Sequence, residues 1–188
     1  SCLVGSEMCI RDRSNINELK IIHGLNDISF MNQTHSNTVL SVSKGHTHLD
    51  CDAMFTEDKS ISCVVLTADC IPILVTESSG RMIGCIHAGW RGLQSKIIEN
   101  FFSKFTSISK SNFRVLLGPC ISAENYEVSD EIFCQFSNYS DRFRKNKSGN
   151  YYMDLRYIAY DILNELGITN VTISKSCTYN DNFYSYRK

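Results

Sequence analysis

Three side chains able to bind a metal, or to act as nucleophile and base, stand at the ends of apolar runs: His35 in Gln33-Thr34-His35, Cys70 in Ala68-Asp69-Cys70 and His87 in His87-Ala88-Gly89. Polar or glycine residues border each run, so all three are expected at strand-end turns. A lone histidine is more often a capped loop residue than a ligand, and a lone cysteine more often packs. The recurrence of one setting three times carries the weight. A His, a Cys and a His suit a zinc ion with its fourth position open, as in catalytic sites, whereas structural zinc is closed by four protein ligands. The same residues serve a second chemistry, with Cys70 as nucleophile, His87 as base and Asp69 or Asp52 as orienter. Metal content separates the two, because zinc on Cys70 removes the free nucleophile. Asp52 is also a candidate acid/base. Asp50 lies two residues before it, so the two carboxylates share a face if the chain there is extended.

The elements that must position these groups are short. Residues 61–66 (ISCVVL), 71–75 and 81–86 read as buried strands, with a turn at 77–80 between the last two. After His87 the chain turns through Gly89 and Gly92. Leu93, Ile97, Phe101 and Phe105 then recur every four residues, which predicts one helix with an apolar face. The backbone N–H groups at its start would lie beside His87. Residues 38–42 and 171–174 read as further strands, 113–117 as another buried strand, and 15–23 as the end of a helix or a strand. Residues 44–48 and 141–150 read as loops, so His46 and His48 are expected to be solvent-exposed; His23 is given no role. Ser129 and Asp154 are placed to cap two more helices, the second closed by Gly167. Strands outnumber helices without strict alternation. The expected fold is α/β of the α+β type, a mixed β-sheet sandwich flanked by helices in one domain.

Nineteen basic and twenty acidic residues in 188 leave no field to steer nucleic acid or an anionic membrane. Apolar runs are too short for a transmembrane helix. Nine cysteines at irregular spacing, none as C-x-x-C, argue against a disulfide framework or a zinc ribbon. A reducing, cytoplasmic setting is expected, with most cysteines acting as small buried hydrophobes. Residues 1–13 show neither helix nor strand period, and 7–12 resemble the translation of a sequencing adapter. They are expected to be a non-native scar, followed by a domain over 14–188 that is truncated at both ends.

Several stretches together resemble the YfiH/YlmD family, the laccase-domain or polyphenol-oxidoreductase proteins associated with purine nucleoside phosphorylase activity. They are Gln33-Thr34-His35-Ser36, Asp52-Ala53-Met54, Thr67-Ala68-Asp69-Cys70, His87-Ala88-Gly89-Trp90-Arg91-Gly92, Gly118-Pro119 with Asn125-Tyr126-Glu127-Val128, and Phe183-Tyr184-Ser185-Tyr186-Arg187. The likeness runs from about residue 31 onward. It implies a YfiH-like single domain with zinc, and copper less so, on His35, Cys70 and His87. It also implies phosphorolysis of adenosine, inosine, guanosine and methylthioadenosine, with adenosine deamination. The partners are then a purine nucleoside and phosphate, with no nucleic acid and no membrane; the oligomeric state stays open.

Phosphorolysis needs an anion held near the ribose C1′. Gly89, Trp90, Arg91 and Gly92 offer N–H groups and a guanidinium for it. An ordinary salt bridge is an equally good reading of Arg91, and Trp90 packing under the turn is favoured over stacking on a base. Asp69 would orient a ligand histidine or cap a turn. Two further chemistries stand beside the cysteine hydrolase. A multicopper polyphenol oxidase would need more than the five histidines present. A zinc-stabilised interaction module would hold metal without turnover.

Overall fold

The computed structural model describes residues 2–5 and 27–188. The strands are β1 (Cys2–Gly5), β2 (Asp27–Asn32), β3 (Val39–Ser41), β4 (Leu49–Asp50), β5 (Ala53–Thr56), β6 (Ile61–Leu66), β7 (Ile71–Glu77), β8 (Ile83–Ala88), β9 (Phe113–Leu117), β10 (Glu127–Val128), β11 (Phe143–Lys145), β12 (Tyr151–Met153) and β13 (Val171–Ile173). The α-helices are α1 (Trp90–Gln94), α2 (Ile97–Ser103), α3 (Asp130–Gln135) and α4 (Leu155–Glu165). A six-stranded mixed sheet runs β13-β9-β7-β8-β5-β3, a parallel sheet runs β1-β6-β2-β4, and a small antiparallel sheet runs β10-β12-β11.

Period-two alternation along the central strands divides the core. Ile71, Ile73 and Val75 of β7 and Ile86 and Ala88 of β8 join one apolar cluster with Ile97, Phe101, Ile158 and Ile162 of helices α2 and α4. Met54 of β5 and Cys85 of β8 join a second cluster with Ile61, Cys63 and Val65 of β6, between the two larger sheets. This is the expected mixed sandwich flanked by helices. Asp154 accepts the Tyr157 amide at 3.1 Å and so caps α4, and Gly167 ends it with φ 79°. The turn at 77–80 closes on a Gly80 N to Glu77 O bond of 2.8 Å.

Several expectations change. The single helix after His87 is two, α1 and α2. Lys96 adopts φ 67°, and the Ser95 hydroxyl bonds back to the carbonyls of Arg91 (2.8 Å) and Gly92 (3.2 Å), which competes with helix continuation. The four-residue apolar spacing survives the break because Leu93, Ile97, Phe101 and Phe105 are all buried. The strand before His87 starts later and runs on through His87 and Ala88. In β9 only one face is buried; Arg114 and Leu116 face outward. Residues 143–153, expected to be largely loop, form the β11–β12 hairpin, where Tyr151 stacks on Phe133 at 4.0 Å. Cys2–Gly5 pairs in parallel with Cys63–Leu66, so the segment read as aperiodic contains a strand. The reading of 15–23, and His23 with it, lies outside the described residues.

Gly84 of β8 lets Phe101 of α2 rest on the sheet. A Cβ there would lie 2.6 Å from the Phe101 ring and 2.8 Å from the Met54 carbonyl. Overpacking of this kind costs about 1–3 kcal/mol. Gly84→Ala is therefore expected to lower stability by that amount in urea unfolding, and an unchanged midpoint would contradict the packing described.

Candidate active site

The site is built on Asp52, whose side chain is 0 % exposed. The residue stands between β4 and β5. Its carboxylate accepts the backbone N–H groups of Thr34 (3.1 Å), His35 (3.0 Å) and Ser36 (2.7 Å) and the Ser36 hydroxyl (2.7 Å). These bonds wrap the 34–36 turn around one anion and hold His35 at φ 61°. The same carboxylate lies 2.7 Å from Nδ1 of His87, and the Asp52 carbonyl accepts the His87 amide at 2.7 Å. Two of the three candidate ligands are thus fixed by one residue. Pairing Nδ1 with the carboxylate leaves Nε2 of His87 for the cleft.

Cys70 stands one residue before β7. Its Sγ lies 3.8 Å from His35 Nε2, and one ligand atom from each of His35, Cys70 and His87 lies within 4.8 Å of the others. The His35 and His87 rings meet edge to face at 4.8 Å. Bonds of about 2.0–2.3 Å in a tetrahedral ion set donor atoms about 3.3–3.8 Å apart, so the three donors fit a small metal ion with minor adjustment. Gly89 makes room for the cluster, since a Cβ there would lie 2.7 Å from Cys70 Sγ and 3.2 Å from the His35 ring.

Charge within the site follows from these contacts. Burial alone would raise the Asp52 pKa, but the hydrogen bonds from His87 and Ser36 outweigh it and hold the carboxyl at about 2. Burial would lower that of His87, but its bonds to Asp52 and Cys70 push it up to about 9. Burial would raise that of Cys70, but its bonds to His35 and His87 bring the thiol down to about 7. Thiolate is accordingly available near neutral pH, as a metal ligand requires.

The three residues lie in a cleft of about 440 Å³ lined also by Gln33, Leu66, Ala68, Asp69, Trp90, Arg91, Tyr126, Tyr186 and Arg187. Gln33 pairs with the Leu66 backbone through both its amide atoms, donating to the carbonyl at 2.7 Å and accepting from the N–H at 2.9 Å. That side chain extends the β2–β6 pairing by one step and sets where the His35 turn begins. Trp90 is half-buried against the core, and the Arg91 guanidinium rests 4.4 Å from the centre of its ring. Arg91 makes no ion pair among the described residues.

The structure brings together His35, Cys70, His87, Gly89, Trp90 and Arg91. Asp52 lies behind His87 and does not line the cleft. Asp50 and Asp52 do not share an environment: the chain leaves the extended form between β4 and β5, so Asp50 is exposed and accepts from Asn32 at 3.1 Å. Asp69 touches neither ligand histidine; it accepts from Thr178 and from the Arg187 amide. His46 and His48 are exposed, as expected. Tyr126, Tyr186 and Arg187 stand out in the sequence only as motif residues, and no local pattern places them at the cleft. The paired carboxyl of Asp52 gives a testable sign. A depressed pKa contributes stability that is present above about pH 4 and is lost as pH falls toward 2. In metal-free protein the stability gap between wild type and Asp52→Asn should be about 2 kcal/mol near pH 6 and close toward pH 2, read by chemical unfolding across pH.

Comparison with known proteins agrees with this architecture. The chain is 33% identical over 167 residues to the purine nucleoside phosphorylase of Haemophilus influenzae, covering 85% of this chain and 68% of that protein. It is 30% identical over 166 residues to the purine nucleoside phosphorylase YfiH of Escherichia coli, covering 85% and 68%. A crystal structure of a Neisseria meningitidis protein superimposes with a TM-score of 0.85 at 30% identity, over 93% of this chain and 74% of that one. YlmD from Geobacillus stearothermophilus superimposes with a TM-score of 0.85 at 23% identity, over 94% and 76%, a likeness of fold. The model of one family matches residues 10–188, and the chain belongs to that family, the multi-copper polyphenol oxidoreductase laccases.

Proposed function

We propose that this chain is a zinc-dependent purine nucleoside phosphorylase. Its substrates are adenosine, inosine, guanosine and methylthioadenosine with phosphate, and it also deaminates adenosine. The observation that carries the reading is the His35–Cys70–His87 set fixed over a buried carboxylate on the wall of a cleft of about 440 Å³, a size in the usual range for small-molecule sites. The curated relatives named purine nucleoside phosphorylase support it. His35, Cys70 and His87 would hold the ion, which when bound would act as a Lewis acid and lower the pKa of water at its open position. Asp52 serves as a positioning residue, holding the Nδ1 proton of His87 and the turn that carries His35.

In phosphorolysis a phosphate oxygen bonds C1′ as the N-glycosidic bond breaks. The anion must be held beside the ribose. Arg91 faces the cleft, and the N–H groups of Trp90, Arg91 and Gly92 precede the first intrahelical bond, Leu93 N to Gly89 O at 3.0 Å. These groups receive the phosphate in this reading. A reducing, cytoplasmic setting accords with seven free cysteines among the described residues; no described helix is long and apolar enough to cross a membrane. One His–Cys–His group forms among the described residues, which favours a single-metal enzyme over a multicopper oxidase.

A second reading has its own observation. Cys70, His87 and Asp52 are linked in the order nucleophile, base and orienter. Metal analysis decides between the readings: one tightly held zinc per chain, with ribose 1-phosphate formed from adenosine and phosphate, supports the phosphorylase, whereas metal-free protein with thiol-dependent hydrolysis supports the hydrolase. Cys70→Ala should abolish both phosphorolysis and deamination. Cys63→Ala and Cys85→Ala, in the core between the sheets, should leave both largely intact. Arg91→Ala removes a charge-assisted contact of about 1.5–3 kcal/mol, so phosphorolysis should fall roughly ten- to a hundredfold, mainly through the KM for phosphate, while deamination changes little. Equal loss of the two activities would point to a structural turn.

A further inference from the structure

Three aromatic residues line the cleft, and two of them already carry a cation. Arg91 lies over Trp90 at 4.4 Å, and Arg187 lies over Tyr126 at 5.2 Å; Tyr126 is in addition almost wholly buried. Tyr186 differs, being 88 % exposed at the cleft. Its ring is therefore open to a ligand that enters the cleft.

The backbone that presents this ring is tied down from several sides. The Arg187 amide, next in the chain, donates to Asp69 Oδ2 at 3.0 Å and lies 3.1 Å from the Ser185 hydroxyl. Arg187 Nη1 reaches the Glu127 carbonyl at 3.2 Å. Asp69 is 6 % exposed, and its other oxygen accepts from Thr178 at 2.7 Å. It directly precedes Cys70, so one buried carboxylate ties the backbone next to Tyr186 to the candidate ligand cluster. A backbone held this way lowers the ordering cost of bringing the ring onto a flat ligand.

We propose that Tyr186 is the base-stacking residue of the cleft: its ring covers the purine of the bound nucleoside, with the Asp69–Arg187 bond as the positioning contact. The proposal deepens the phosphorylase reading and rests on it. Stacking on an aromatic side chain needs only a π-face and tolerates different purines, which suits one cleft accepting adenosine, inosine and guanosine. In phosphorolysis the purine leaves as the C1′–N9 bond breaks, but stacking on its face is made before that bond breaks and kept while it does, so the contact should appear chiefly in KM.

The test compares wild type, Tyr186→Phe and Tyr186→Ala as zinc-loaded full chains, with adenosine and phosphate varied separately and direct calorimetric binding of inosine, which has no amino group to lose, alongside. Tyr186→Ala should raise the KM for adenosine and the Kd for inosine about tenfold, with kcat within about twofold and the KM for phosphate unchanged. Tyr186→Phe keeps the ring and should match wild type. A wild-type KM in Tyr186→Ala overturns the stacking proposal alone. Equal loss in Phe and Ala variants also overturns it, by assigning the effect to the hydroxyl. Loss of kcat with both KM values unchanged would make the segment merely structural. Wild type that neither turns over adenosine with phosphate nor binds inosine removes the phosphorylase reading, and the stacking proposal with it.

Discussion

A carboxylate cut off from water must find hydrogen-bond donors inside the protein, and the chain around Asp52 is arranged by that requirement. Its oxygens collect three consecutive backbone amides, a serine hydroxyl and an imidazole. Loss of any one donor would leave a buried charge less compensated, which is among the more costly defects a fold can carry. The turn that bears His35 and the strand that bears His87 are therefore not independent features. They are two sides of one solvation shell, made of protein in place of water.

This has an effect on the ligand set. Imidazole and thiol side chains on free turns would sample many rotamers, and each metal-binding event would have to order them. Here Asp52 orients His87 and holds the backbone of His35, while Gly89 leaves space where any side chain would press on Cys70. Positions one and two residues apart in the turn after β8 thus do different things. Gly89 clears the centre, Trp90 leans on the core, and Arg91 lies across Trp90 and faces the cleft. The site sits at one end of the sandwich, where β2 and β6 stop and Gln33 bridges their last step.

Much of this is legible in the sequence because it is local. The buried strands β6 and β7 announce themselves as β-branched runs, and α4 carries its own cap, apolar face and closing glycine. The three ligand candidates stand out because polar residues end apolar runs. What is not legible depends on distant partners. Whether Asp52 faces substrate or lies behind a histidine is decided by β8, thirty-five residues away. The break between α1 and α2 leaves the apolar spacing intact, so periodicity cannot reveal it; it depends on a serine hydroxyl returning to its own helix. The β11–β12 hairpin is held by aromatic contacts with Phe133, outside the charged stretch that suggests a loop. Asp69 reads in sequence as a neighbour of Cys70, and its real partners are more than a hundred residues downstream.

That last separation bears on how the protein comes into being. Asp69 and the Arg187 amide are 118 positions apart, and loop closure over such a span is unfavourable until intervening elements have packed. During synthesis the strands carrying His35, Cys70 and His87 can assemble early, whereas the wall bearing Tyr186 cannot close until residue 187 has left the ribosome. A nascent chain would thus hold its candidate ligand cluster before it has a complete cleft.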